Sequence, residues 1–288
     1  MLSNFGRSSI NLGSCIANIP IKLHLTFFLL LAFQLFSSLR YGYKFVLFIF
    51  FLYGPILLIT ILVHEFGHAL TTKKLGGEVG GIILWPLGGF ALCGPADGGA
   101  SADFKVAIAG PLTHIPQMIV WVILYIAFTG GNISGLFSTS SVALYEVSYG
   151  GFTGFLSQLC KQTFWMNLHI LGFNLFIPAF PLDGGRCLAA SLVMCKVRVE
   201  KAAMITSVVA FVIAIGMGIW GFIPLIIGDD PNGLFMVFIA GFVLVSSKQL
   251  FDLTRAGRVR EHPLFSRSCY DEREESSDDV EATEGTLT

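Results

Sequence analysis

The sequence predicts an all-α integral membrane protein with about six transmembrane helices. Hydrophobic residues make up 54% of the 288-residue chain, charged residues only 13%, and the mean hydropathy is +0.73. Soluble domains carry about 25% charged residues, so much of this chain must face lipid. Apolar stretches long enough to cross a bilayer run over residues 21–39, 45–70, 104–128, 164–180, 202–227 and 234–250.

The fourth apolar stretch is interrupted by polar residues and prolines. Asn167, His169 and Asn174 lie within it, and Pro178 and Pro181 fall at its end. A proline removes a helix hydrogen bond, and lipid offers no replacement partner. We therefore expect this helix to lie in a protein-lined or hydrated environment.

A glycine-rich apolar segment, residues 76–90, follows the second stretch. Its glycines and its proline make a stable helix unfavourable. A re-entrant loop or a hairpin fits this composition best. The alternative is a surface loop anchored by a few aromatic side chains.

The C-terminal residues 261–288 differ in composition from the rest of the chain. They are rich in Asp, Glu, Ser and Thr and contain few apolar residues. Such a segment cannot bury enough surface to offset the entropy of ordering. We expect a single multi-pass membrane domain over residues 1–260, followed by a disordered acidic tail.

Basic residues fall on alternate loops, which predicts the orientation in the membrane. They cluster near the N-terminus, after the second stretch, after the fourth stretch and after the sixth. By the positive-inside rule these segments, and both termini, face the cytosol or its equivalent. The loop after residue 128 then lies on the opposite side.

Composition also excludes two other kinds of protein. The net charge is −1, and no basic patch with interleaved aromatic residues occurs, so a nucleic-acid partner is not expected. The six cysteines include no Cys-x-x-Cys pair, which argues against a disulfide framework.

The motif that carries chemistry is His64-Glu65-Phe66-Gly67-His68, near the end of the second stretch. Histidines at positions i and i+4 share one helix face, so both imidazoles can bind one Zn²⁺. Glu65 between them is placed to act as general base on the attacking water. Ionisable groups within a membrane span are rare and usually functional, so we expect a zinc site rather than a structural polar cluster.

A catalytic zinc usually has three protein ligands and one open position. Asp183 is the best candidate for the third ligand, because the other acidic residues lie in predicted loops or at span ends. The second and fourth stretches run in the same direction, so the motifs at their C-terminal ends reach the same leaflet. The alternative for Asp183 is an Asp-Gly turn that caps the helix exit.

Over residues 20–190 the chain resembles the site-2 protease family of intramembrane zinc metalloproteases. The resemblance rests first on the His-Glu-x-x-His motif and on residues 174–186, which are similar to the family's Asn-x-x-Pro-x-x-Pro-Leu-Asp-Gly-Gly-Arg segment. Two weaker matches are Pro86-Leu87-Gly88-Gly89 and Ala109-Gly110-Pro111-Leu112.

The resemblance implies a zinc endopeptidase that cuts membrane-protein substrates in or near their transmembrane segments, within the lipid bilayer. It also implies that Asp183 is the third zinc ligand and that Asn174 lies near the scissile carbonyl. No nucleotide-binding or peptide-binding regulatory domain is expected.

Two other functions are compatible with parts of the sequence. An inactive homologue that binds membrane partners tends to lose metal ligands, whereas this chain retains all of the candidates. A transporter also places polar residues at membrane depth, but paired internal repeats are expected there and are not evident.

The chain departs from the family pattern at Thr113-His114, where relatives often carry Asn after the Ala-Gly-Pro segment. We expect His114 to be a span residue that faces its neighbours rather than a metal ligand. His169 is likewise not expected to bind metal.

Overall fold

The structure is a computed structural model, which describes residues 8–14, 17–85, 88–94, 96–138, 147, 150–227, 233–262 and 264–265. Its helices are α1 (Thr26–Ser38), α2 (Tyr43–Phe51), α3 (Leu57–Lys74), α4 (Gly99–Leu112), α5 (His114–Phe128), α6 (Gly151–Phe176), α7 (Asp183–Met194), α8 (Val199–Ile227) and α9 (Gly233–Arg255). The chain forms two compact units. The first comprises Met1–Leu70, Val79–Cys93 and Ala109–Leu171, and the second Thr71–Glu78, Gly94–Ile108 and Gly172–Thr288.

The first unit contains a mixed four-stranded sheet, in the order β1-β2-β3-β4. Strand β1 (Ser9–Gly13) is antiparallel to β2 (Ile21–His24), which is parallel to β3 (Val79–Trp85). Strand β3 returns through an antiparallel hairpin to β4 (Gly88–Cys93), an edge of the sheet. The glycine-rich segment is therefore a hairpin, one of the predicted alternatives.

The sheet corrects the all-α prediction at the N-terminus. The first predicted span began at residue 21, but Ile21 and Leu23 are buried within β2, and helix α1 begins only at Thr26. A strand of four residues shows too little periodicity to be recognised in an apolar run. Its partner Ile82 is distant in sequence and therefore gives no local signal.

One apolar cluster packs the sheet against the helices of the first unit. Buried Ile82 and Leu84 of β3 meet Phe27 of α1 and the inward side chains Ile61 and Phe66 of α3. The β-branched and aromatic residues of β3 suit a half-buried pleated surface. This packing holds β3, and with it β4, beside the helix that carries the His-Glu-x-x-His motif.

A π-helical turn, Leu52–Ile56, joins α2 to α3. It contains Pro55, which has no backbone N–H to donate, and Gly54 has non-helical backbone angles. The helix nevertheless continues on both sides of this turn. The kink therefore has a local cause in the Gly-Pro pair.

Among the described residues, four helical stretches are long and apolar enough to cross a membrane. They are Tyr43–Lys74, Gly99–Phe128, Val199–Ile226 and Met236–Arg255. They correspond to the second, third, fifth and sixth predicted spans. The mainly helical, membrane-spanning character of the prediction is confirmed, while the count of six spans stays a prediction.

Helix α6 differs from the predicted fourth span at both ends. It begins at Gly151 rather than at residue 164, and it ends at Phe176, before the first of the two prolines. Ser157, Gln158 and Lys161 weaken the apolar pattern of its first half, yet all three are buried. A helix that buries polar residues inside the protein gives a weak hydropathy signal, which explains the difference.

In the second unit, α7, α8 and α9 enclose two apolar clusters. One contains Ala189 and Ala202 with Leu250, and the other contains Ala210 and Val243. A Cβ on Gly221 would lie 2.8 Å from the Gly233 carbonyl oxygen, so α8 and the start of α9 approach closely. Small residues at such a crossing are typical of membrane helices.

The packed part of the second unit extends past residue 260. After α9, a short 3₁₀ helix (Val259–Glu261) leads to Leu264 and Phe265, which are buried in the cluster of Ala189 and Leu250. Residues 266–288 of the predicted tail lie outside the described residues.

Candidate metal centre

His64 and His68 lie one turn apart on α3, and both are buried. Their Nε2 atoms are 3.1 Å apart. Two nitrogens bound tetrahedrally to one zinc at about 2.0–2.1 Å would be roughly 3.3 Å apart. The imidazole pair therefore fits Zn²⁺, with the Nε2 atoms as ligands.

Two glycines, Gly67 and Gly110, leave space beside the Nε2 atoms of this imidazole pair, on the side where a metal would bind. A Cβ on Gly110 of α4 would lie 2.8 Å from His64 Nε2 and still closer to His68 Nε2. A Cβ on Gly67 would lie 2.6 Å from the Ala109 carbonyl oxygen. Gly67 thus allows this part of α4 to approach α3, and Gly110 leaves the space that a metal needs.

Glu65 is held by the edge strand of the sheet. The backbone N–H of Ala91 donates a hydrogen bond of 2.8 Å to Glu65 Oε2, and the residue is 5% exposed. A Cβ on Gly89 would lie 2.7 Å from Glu65 Oε1, so only glycine allows the strand this close. Contacts with β4 therefore fix the carboxylate in a buried position on the helix that carries the two histidines.

A hydrogen-bonded chain of polar side chains continues behind His64. His64 Nδ1 is 3.0 Å from His114 Nε2, and His114 Nδ1 is 2.8 Å from Asn167 Oδ1. Asn167 Nδ2 in turn donates to the Thr163 carbonyl oxygen at 2.9 Å. His114 meets the ring nitrogen of His64 that faces away from His68, so it lies behind the histidine pair rather than on its metal side.

His114 and Asn167 are the site residues that sequence reasoning did not identify. Both are 0% exposed. Their separation in sequence from His64 hides the contact, although each is a polar residue in an apolar run, which is itself a functional signal. His169, on the same helix as Asn167, is exposed, and its Nδ1 donates to the carbonyl oxygen of Trp165, one turn earlier on that helix.

Asp183 belongs to the second unit, where it is the first residue of α7 and is buried. The Arg186 guanidinium lies 3.8 Å from its carboxylate and balances its charge. A Cβ on Gly184 would lie 2.7 Å from the Leu175 carbonyl oxygen, and one on Gly185 would lie 2.5 Å from the Ala179 carbonyl carbon. The Gly-Gly pair thus lets the end of α6 and the loop after it pack on the start of the helix. Asp183 therefore begins a helix rather than capping the exit of α6.

Asn174 also belongs to the second unit, near the C-terminal end of α6, and is half-buried. The structure thus brings together His64, His68 and Glu65 within the first unit. Asp183 and Asn174 lie in the second unit, Asn174 on the last turn of α6 and Asp183 at the start of α7.

More than half of the chain matches a known protein family. Residues 52–217, more than half of the chain, match peptidase family M50. The matched range contains all of the residues assigned above to the candidate site.

Similar proteins include a zinc metalloprotease of Methanocaldococcus jannaschii, 36% identical over 183 residues, which are 62% of this chain and 44% of that protein. Stage IV sporulation protein FB of Bacillus subtilis is 30% identical over 134 residues, 46% of this chain and 37% of that protein. The chain therefore spans less than half the length of these two curated relatives.

A solved structure, the site-2 protease from Methanocaldococcus jannaschii, has a similar fold, with a TM-score of 0.56 and 27% sequence identity. The similarity covers 84% of this chain and 95% of that one. With the four apolar helices, this match makes the chain an integral membrane protein. Its motifs, its fold and the matched range place the chain in peptidase family M50, the site-2 protease family of zinc metalloproteases.

Proposed function

We propose that this chain is a zinc-dependent intramembrane endopeptidase that hydrolyses peptide bonds in or near the transmembrane segments of membrane proteins. The observation that carries the proposal is the buried group on α3. His64 and His68 present their Nε2 atoms 3.1 Å apart, and the Glu65 carboxylate is anchored beside them by Ala91. These groups lie on a helical stretch long and apolar enough to span a membrane.

His64, His68 and Asp183 are the proposed zinc ligands, and all three are buried. Two imidazoles and one carboxylate form a donor set typical of catalytic zinc, with a fourth position open. When bound, zinc supplies a Lewis acid that polarises the scissile carbonyl and lowers the pKa of water to about 7.

Glu65 is the proposed general base. It accepts a proton from the attacking water as the water oxygen bonds to the scissile carbon, and it returns that proton to the leaving amine when the C–N bond breaks. The Ala91 N–H holds Oε2, which leaves Oε1 as the atom that handles the proton. The Asn174 amide is a proposed donor to the developing oxyanion, an effect of about 3 kcal/mol for a well-placed group.

The hairpin provides a proposed substrate edge. Strand β4 ends the sheet, so the backbone groups on its outer side, other than the Ala91 N–H that bonds to Glu65, can pair with an extended segment. A transmembrane helix must unwind before its peptide bonds are accessible, and an edge strand stabilises the extended form by main-chain hydrogen bonds.

The proposed depth of the site follows from the position of the motif on α3. The helix ends at Lys73 and Lys74, which mark the membrane boundary. At 1.5 Å per residue, His68 lies about 7 Å and His64 about 14 Å inside that boundary. The proposed cleavage site therefore lies within the bilayer, in the leaflet nearer the termini.

We also propose that residues 1–260 act as one membrane metalloprotease domain with about six spans and both termini on the cytosolic side. The full set of His64, Glu65, His68 and Asp183 argues against an inactive homologue. Basic residues on alternate loops support the orientation.

The test is the location of the cleaved bond. Membrane-embedded fragments that accumulate with Glu65→Gln, but not with the matched control Glu78→Gln at an exposed carboxylate, identify substrates. Mass spectrometry of the products made by the wild-type protein then maps the scissile bond. We expect it inside or at the edge of a transmembrane segment, and a bond in a soluble region far from any such segment would refute the proposal.

A further inference from the structure

The chain of hydrogen bonds behind His64 has a direction that its chemistry fixes. The Thr163 carbonyl oxygen can only accept, so the Asn167 atom that meets it must be the amide nitrogen. The amide oxygen of Asn167 therefore faces His114, and it too can only accept. His114 must carry its proton on Nδ1.

The position of the proton on His114 also determines which nitrogen of His64 is protonated. A neutral imidazole has one donor and one acceptor nitrogen, so His114 Nε2 is the acceptor. The hydrogen bond to His64 Nδ1 then requires a proton on that nitrogen. His64 is left with an unprotonated Nε2, the atom that faces His68 Nε2.

We propose that His114 is a positioning residue that holds His64 in the tautomer and ring orientation that bind zinc, and that Asn167 fixes His114 for this purpose. The inference rests on the proposed function, because it takes His64 Nε2 as a zinc ligand. A histidine ligand generally donates its other ring N–H to a second group, which orients the ring and raises its basicity. Here that second group is another imidazole instead of a carboxylate or a carbonyl.

Burial supports a dedicated role for these residues. His114 and Asn167 are 0% exposed, and a polar group without a hydrogen-bond partner at such a position destabilises the folded state. Packing alone would be served by apolar residues of similar volume at both positions. The reversed arrangement, with the proton of His114 on Nε2, would require a protonated Nε2 on His64 and would occupy the nitrogen that the metal needs.

The test distinguishes the hydrogen-bond acceptor that His114 offers to His64 from the volume of the His114 side chain. In His114→Gln, the Oε1 atom stands as many bonds from Cα as the imidazole Nε2, so it can accept from His64. His114→Leu fills the site without an acceptor, and Asn167→Leu leaves His114 without its orienting partner. His169→Leu, at an exposed position on the same helix, is the control.

The readouts are zinc affinity, by competition with a chelator in purified full-length protein, and the visible absorption spectrum of the Co²⁺-loaded form. We expect His114→Leu to lower zinc affinity about 10- to 100-fold and to alter the Co²⁺ spectrum. His114→Gln should recover most of the affinity, Asn167→Leu should weaken binding, and His169→Leu should match the wild type.

Two results would overturn the inference. One is wild-type zinc affinity and an unchanged Co²⁺ spectrum in His114→Leu. The other is a loss in His114→Gln as large as in His114→Leu while both variants unfold at the wild-type temperature. A wild-type protein that binds no zinc would instead refute the proposed function, so the two failures are distinguishable.

Discussion

At the scale of single residues, the proposed ligand His68 and the proposed base Glu65 are expected to respond differently to substitution. Glu65→Gln keeps the side-chain volume and leaves both imidazoles in place, so zinc content should stay at the wild-type level while turnover is lost. His68→Ala removes a proposed ligand and should lose both. Metal analysis and a cleavage assay on the purified variants measure this, and full zinc content in His68→Ala would contradict the ligand assignment.

The motif on α3 and the residues behind it differ in how far the sequence predicts them. The spacing of His64 and His68 is enough to predict a shared helix face, because i and i+4 are neighbours on any α-helix. His114 and Asn167 meet His64 only through folding of three separate helices. No local spacing encodes that contact, so the sequence could indicate only that each is a polar residue in an apolar run.

Substitution of Gly110 is expected to lower zinc affinity, as substitution of a ligand would, although glycine has no side chain. A Cβ at this position falls on the metal side of the two imidazoles, 2.8 Å from His64 Nε2. Gly110→Ala should therefore lower zinc affinity at least about tenfold, because the methyl group occupies space that the metal needs. The control is Gly216→Ala on α8, where a Cβ meets nothing within 4 Å, and equal zinc affinity in the two variants would refute the prediction.

At the scale of elements, the sheet was only partly predictable. The glycine-rich segment indicated a hairpin, and β3 and β4 form one. Strands β1 and β2 gave no signal, because β2 lies within a run that is apolar enough to be taken for a span. The sheet matters for the proposed mechanism, since β4 supplies the N–H that holds Glu65, the proposed general base.

The hydrogen bond between the Ala91 N–H and Glu65 can be tested by a substitution that removes the N–H. The Ala91 N–H points to Glu65 rather than into the ladder, and a proline is tolerated in an edge strand where no ladder bond is lost. Ala91→Pro should therefore keep zinc but lower turnover about tenfold or more, as expected for losing a hydrogen bond to a charged group, about 1.5–3 kcal/mol. Ala91→Val, which retains the N–H, is the control, and equal turnover in the two variants would exclude a role for this bond.

The segment after α9 packs on the cluster of Ala189 and Leu250, and the stability of this docked state should depend on pH. His262 is 1% exposed, stacks edge-on against Phe180, and accepts the Leu264 N–H on Nδ1. Burial lowers its pKa from 6.5 to about 4. When the segment is undocked, the imidazole takes up a proton near pH 6.5, whereas the docked imidazole resists protonation until about pH 4.

Docking stability is therefore full above pH 6.5 and falls as the pH drops towards 4, by up to about 3 kcal/mol. Hydrogen exchange of the backbone around Val259 across this range measures the change. In His262→Asn, the amide oxygen can replace Nδ1 as acceptor but does not titrate, so the pH dependence should largely disappear. An equally steep profile in His262→Asn would assign the effect to another group.

At the scale of the whole molecule, the membrane is the solvent that organises the sequence. Four stretches are long and apolar enough to cross it, while the first half of α6, before residue 164, carries buried polar residues and was not assigned to a span. Hydropathy therefore identifies the four apolar helices but only the second half of α6, which carries Asn167 and Asn174. That difference is physical, because a helix surrounded by protein need not be apolar on every face.

The predicted topology can be tested by cysteine labelling. The positions of the basic loops predict that the segment between α7 and α8 lies on the side of the termini and that the segment after α5 lies on the opposite side. Cys195 is an exposed native cysteine in the first of these segments, and Ile133 is an exposed residue in the second. In one background all cysteines except Cys195 are replaced, and in the other all six are replaced and Ile133→Cys is added.

A membrane-impermeant maleimide, applied to intact cells and to inverted vesicles, should label Cys195 only from the cytosolic side and Ile133→Cys only from the other side. The result bears on the proposed zinc site, because Asp183, a proposed ligand, begins the helix that ends beside Cys195. If the two positions were labelled from the same side, the chain would cross the membrane an even number of times between α5 and α7. Helix α6 would then not cross the membrane in the same direction as the second span. Asp183 would therefore not reach the leaflet proposed for His64 and His68.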